Sequence, residues 1–132
     1  MAAVIKATAA VEAETFKALD AGVTGAAVFQ DVPDDQPLPV VIIGELLSVP
    51  FAGADDPDRR ITLVIGIQVE GDERGPCTDI QDEVEALLAG VTIATDDWNL
   101  HYSVASSAAE LAEDGSGYVG TTILTILAFS NS

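Results

Sequence analysis

Between Ile61 and Glu70 the chain alternates without interruption. Ile61, Leu63, Ile65, Ile67 and Val69 fall on one side of an extended backbone, and Thr62, Val64, Gly66, Gln68 and Glu70 on the other. A period of two with branched aliphatics on one side predicts a strand that lays one face on a core. Three more strands follow from composition. Val40-Val-Ile-Ile43, continuing to Leu47, is a β-branched run that reads as buried on both faces. Residues 100–109 and 118–129 read as a strand pair joined by a hairpin connection over 110–117. The last strand is apolar on both sides through Val119, Ile123, Leu124, Ile126, Leu127 and Phe129, so each side calls for a cover.

Helical spacing marks two other segments. From Ala2 to Leu19, Val4, Ile5, Thr8, Val11, Thr15, Phe16 and Leu19 share one helix face, with Gly22 as the stop. Thr78 and Gln81 have capping-box spacing, and Ile80, Val84, Leu87 and Leu88 then form a stripe opposite Asp79, Asp82, Glu83 and Glu85, closed by Gly90. The patch Ala26-Ala-Val-Phe29 runs into a link with Pro33, Pro37 and Pro39, which is extended because proline lacks the donor a helix or inner strand needs. Residues 48–60 hold Pro50, Gly53, Pro57, Asp55, Asp56 and Asp58 and read as a long exposed loop between paired strands. Consecutive long strands with helices set apart predict an α+β fold, a mainly antiparallel sheet with two helices on one face, in a single domain over residues 1–132.

Charge narrows the function. With 132 residues, 22 Asp plus Glu and 5 Lys plus Arg, the net charge is −17. Phosphate-binding affinity comes from basic side chains, and only Lys6, Lys17, Arg59, Arg60 and Arg74 supply them, so an ordinary nucleic-acid binder is excluded. An anionic membrane surface repels such a chain, and no apolar run approaches the about 18 residues that span a bilayer. The N-terminal residues lack the basic start and apolar core of a signal peptide, so synthesis in the cytoplasm is expected. Disorder is excluded because 48% of the residues are apolar. The acidity fits either adaptation to salt or a surface that faces DNA without gripping it.

Motifs for chemistry are sparse. His101 stands in a predicted strand without a framed partner, and Cys77 is a lone thiol near a helix start, so both read as structural. The acids at 31, 34, 35 and at 55, 56, 58 do not match a calcium-loop pattern and read as solvated, and Gly115-Ser-Gly117 reads as a turn rather than a phosphate cradle. Neither a metal nor a cofactor is expected. Phe51 and Trp98 are large aromatics in polar surroundings and so candidate partner contacts, with packing on the core the competing role for Trp98.

The runs Val28-Phe-Gln-Asp-Val-Pro33 and Pro37-Leu-Pro-Val-Val-Ile-Ile-Gly-Glu45 resemble the signature of the tail-completion, or tail-terminator, proteins of long-tailed bacteriophages and gene transfer agents. The order of the remaining segments is similar over nearly the whole chain, down to Asp114-Gly115 before the last strand. The resemblance implies a non-enzymatic virion protein. It would form a ring, usually of six copies, at the head-proximal end of the tail, capping the tube protein, ending its polymerisation and docking the head connector while DNA passes through. It also implies an interface built from the loop and sheet edges, with Leu47, Val49, Phe51, Asp55, Asp56, Arg59, Arg60 and Trp98 as candidate contacts, and Arg59 and Arg60 placed to meet a neighbour's acids. The alternatives are a head-to-tail connector stopper, a minor tail protein, or a small α+β enzyme or ligand-binding domain in which Asp residues, His101 and Cys77 converge on a pocket.

Overall fold

A computed structural model describes residues 5–53 and 55–131. The chain runs α1 (Ala7–Gly22), β1 (Ala27–Phe29), β2 (Val40–Pro50), β3 (Arg59–Glu70), α2 (Gly75–Leu88), β4 (Thr92–Ala94), β5 (Trp98–Leu111) and β6 (Gly117–Ser130). The strands form one six-stranded sheet in the order β1-β2-β3-β6-β5-β4, antiparallel except for the β1–β2 pair. The α+β expectation holds, with both helices on one face.

The alternation of β3 becomes the core. Ile61, Leu63, Ile65 and Ile67 are fully buried and pair across β6 with Ile126, Leu124, Thr122 and Gly120. Val41 and Ile43 of β2 and Leu100 and Tyr102 of β5 extend the layer sideways. Val11 and Leu19 of α1 and Ile80, Val84 and Leu88 of α2 close over it.

Close approach fixes α2. A Cβ on Gly120 would lie 2.8 Å from Cys77 Sγ and 2.9 Å from Gln81 Nε2, so only glycine lets the helix settle there. The buried Gln81 donates from Nε2 to the Ala108 carbonyl at 2.8 Å. At the other helix, Thr15 Oγ1 and Tyr102 Oη share a buried hydrogen bond of 2.8 Å. Glu83 joins the two helical regions, accepting from Thr24 N and Oγ1 at Oε1 and from Gly25 N at Oε2.

Element boundaries differ from expectation in several places. Helix α1 begins at Ala7; residues 2–4 of the anticipated helix lie outside the described residues. Ile5 is drawn away because its N–H donates to Asp97 Oδ2 and its carbonyl accepts from Trp98 Nε1 at 2.7 Å. Helix α2 starts at Gly75, with Pro76 in the first turn where a missing N–H costs nothing. Thr78 therefore lies inside the helix and donates to the Gly75 carbonyl rather than capping. Strand β4 was not foreseen. The 48–60 loop shrinks, since β2 runs on to Pro50 and β3 begins at Arg59. Likewise the far hairpin turns over residues 112–116, where Gly115 takes φ +73°.

One expectation fails in an informative way. The helices cover a single face of the sheet, and β6 is buried at every second residue only, leaving Val119, Ile123 and Leu127 on a face that no described element covers.

Candidate assembly surface

The register defines this open face rung by rung. Val49, Arg60, Leu127 and His101 lie on one rung, and Leu47, Thr62, Thr125 and Ser103 on the next one in from the loop. Val64 pairs with Ile123, and further along Gln68, Val119 and Glu110 line up. Extra residues bulge from β2 between Ile43 and Leu46 and from β5 between Val104 and Ser106, both level with the Val64–Ile123 pair. Bulges at matching heights on the two flanking strands sharpen the local twist there.

The surplus acid avoids this face. Of the 22 acids, only Glu45, Glu70 and Glu110 lie within strands, at a bulge or near a strand end. The rest are on helices, links and turns. Among the described residues Lys17 pairs with Glu14 at 3.4 Å. The arginines make other contacts, with Arg59 donating to Ser48 Oγ and the Ser48 carbonyl, and Arg60 and Arg74 lying 5.6 Å and 5.2 Å from the ring centres of Phe51 and Tyr118.

Arg60 belongs to a small aromatic cluster at the loop end. Phe51 meets Phe129 edge-on at 5.5 Å, and Phe129 meets His101 at 5.4 Å. Leu47 beside it is 64% exposed. The loop that carries Phe51 is folded on itself: Phe51 N–H donates to the Asp58 carbonyl, and Asp56 accepts from Ala52 N and Asp58 N. Asp58 Oδ1 accepts from Ser130 N, tying the loop to β6.

The candidate contacts therefore separate. Leu47, Val49, Phe51 and Arg60 come together on the open face, whereas Arg59 is held against Ser48 on its own hairpin. Asp55 is exposed at the loop tip, while Asp56 is spent on folding the loop. Trp98 is buried against the segment before α1, the packing role rather than a surface one. Sequence reasoning missed Phe129 and His101 as cluster members and Leu111 and Val119 as exposed apolar residues at the far end. Pairing across β5 and β6 was the missing signal, since neither strand alone shows which side stays open.

The residues of the enzyme alternative do not converge. His101 is exposed on the open face, with Thr92 Oγ1 3.2 Å from Nδ1, whereas Cys77 is buried beneath α2 on the opposite face. Burial pushes the Cys77 thiol up despite the opposing pull of Arg74, away from nucleophilic thiolate. Among the described residues no three His, Cys, Asp or Glu gather to hold a metal ion, and no helix is long and apolar enough to cross a membrane.

The fold is shared with a known virion component. A chain in the virion of a native gene transfer agent particle superposes with a TM-score of 0.81 over 94% of this chain and 98% of that one, at 16% sequence identity. At that identity the likeness establishes the fold. No protein-family model matches the chain, and no curated protein does.

Proposed function

We propose that the chain is a structural protein of a tailed virion or gene transfer agent particle, and that it serves as the tail terminator at the head-proximal end of the tail. The observation that carries this reading is the two-way coverage of the match, 94% and 98%, with a chain of a gene transfer agent virion. The segments that resemble the tail-terminator signature support the finer role, because they form β1, the proline-bearing link and β2, which frame one side of the open face.

In this reading copies of the chain, six in the expected ring, close around the tube end and stop the addition of tube protein. One surface of the ring meets the tube and another the head connector. DNA passes through without specific binding. The terminator needs neither cofactor nor catalytic residue, and His101 and Cys77 act in packing and surface contacts.

The test is to add the purified full chain to tubes growing from the tube protein of the same virus and to follow length by electron microscopy. Shortened tubes bearing a cap at one end are expected. Tubes that continue to lengthen, with no protein at either end, would overturn the terminator role.

A further inference from the structure

Five depressions in the surface differ in the charge of their walls. Four hold at least one acid and no base, among them one with Glu113 and Asp114 and another with Glu70, Asp72 and Glu73. The fifth reverses the pattern. An open cavity of about 340 Å³, where α1 begins beside the loop end of β2 and β3, is lined by Lys6, Ala7, Thr8, Ser48, Arg59 and Trp98. Its wall takes two of the chain's five bases and none of its 22 acids.

The bases are available to a ligand. Arg59 Nε donates to Ser48 Oγ at 2.8 Å and Nη2 to the Ser48 carbonyl at 3.1 Å, which fixes the guanidinium but uses only two of its five N–H groups. Both N–H groups of Nη1 lack an acceptor among the described residues, and Ser48 Oγ keeps its own proton to donate. The Lys6 ammonium forms no ion pair among the described residues. Asp58 and Asp97, next in sequence to Arg59 and Trp98, stay out of the wall; Asp58 Oδ1 accepts from Ser130 N and Asp97 Oδ2 from Ile5 N. The rest of the wall is largely apolar. Trp98 Nε1 is already spent on the Ile5 carbonyl, so the indole offers the cavity ring carbon, alongside the Ala7 methyl.

We propose that this cavity binds a carboxylate carried on a short apolar group, the chemistry shared by the C-terminal residue of a partner polypeptide and a small free carboxylic acid. A fixed guanidinium matches the two oxygens of a carboxylate, and a second base adds to the attraction. The indole takes the apolar group behind it, which inorganic phosphate would leave uncovered. The volume lies at the small end of ligand pockets. At about 0.15 M salt charges act over about 8 Å, so the bases of the wall govern the site and the acids elsewhere on the surface repel it weakly. The site stands or falls without reference to tail tubes.

Trp98 is the only tryptophan of the chain, so its fluorescence reports the cavity directly. The experiment titrates the full chain at about 0.15 M salt with N-acetyl-leucine, N-acetyl-leucinamide, inorganic phosphate and a hexapeptide that ends in leucine with a free carboxylate, with calorimetry as the second reading. N-acetyl-leucine should saturate, and the amide and phosphate should each bind at least about tenfold more weakly. Arg59→Gln and Lys6→Gln, the latter at an exposed position, should each weaken the acid and leave the amide unchanged, with circular dichroism as the check on folding. A hexapeptide that binds at least about tenfold more tightly than N-acetyl-leucine assigns the site to a polypeptide terminus, and one that binds no more tightly assigns it to a small free acid. No saturation by either reading, an amide or phosphate that binds as well as the acid, or folded variants that bind the acid like wild type would overturn the site.

Discussion

Tyr102 shows how much one buried polar group ties together. Its hydroxyl meets Thr15 of α1 at 2.8 Å inside the core, and burial pushes its pKa up to about 12. The neutral phenol is the form the fold keeps. A tyrosine that ionises near 10 when unfolded and near 12 when folded adds stability below pH 10, and that contribution drains away as pH rises through the folded value. Tyr102→Phe should therefore lose about 1 kcal/mol at neutral pH, through the unpaired Thr15 hydroxyl, and show a flatter decline in alkali. Urea midpoints measured at neutral pH and between pH 10 and pH 12 check both parts; equal alkaline slopes in the two proteins would refute the assignment.

At the scale of elements, α2 depends on β6 presenting no side chain where Cys77 and Gln81 pass. Gly120→Ala forces the helix outward or breaks the Gln81 bond to Ala108, and a loss of about 1–3 kcal/mol is expected in thermal or denaturant unfolding. The core strand β3 was legible in sequence because its alternation reports burial directly. So were the stripe of α2, the Val11, Thr15 and Leu19 part of the α1 stripe, the hairpin turn near Gly115 and the packing option for Trp98, whereas Ile5 of the expected α1 stripe is exposed outside the helix. What stayed hidden depended on partners distant in sequence. The start of α1 is set by Asp97 and Trp98, more than ninety residues away. Strand β4 is only three residues long and exists through its pairing with β5. The loop over 48–60 looked long because Pro50, the glycine and the acids are turn-formers, yet pairing extends the hairpin to Pro50 and Arg59. The open face was half visible: Leu47, Val49, Phe51 and Arg60 were singled out, but that Val119, Ile123 and Leu127 share their side of the sheet emerges only from the register across β3, β6 and β5.

For the molecule as a whole, charge and greasiness are divided by location. Helices, links and turns carry most of the acids, while the interiors of the strands carry almost none. A net charge of −17 with few ion pairs among the described residues to offset it opposes compactness, and dissolved salt screens that repulsion. The melting temperature should rise between about 0.05 M and about 1 M sodium chloride. A flat response would mean that the acids are spaced widely enough not to strain one another.

Asp97 has a consequence of another kind. Its side chain holds the backbone N–H of Ile5, and its carbonyl holds that of Asn131, so one residue grips both extremities of the described chain. Each end has a second mooring close by, the Ile5 carbonyl on Trp98 and the Asn131 side chain on Thr95, Asp96 and Asn99, so both extremities are buckled to one short stretch of chain, residues 95–99.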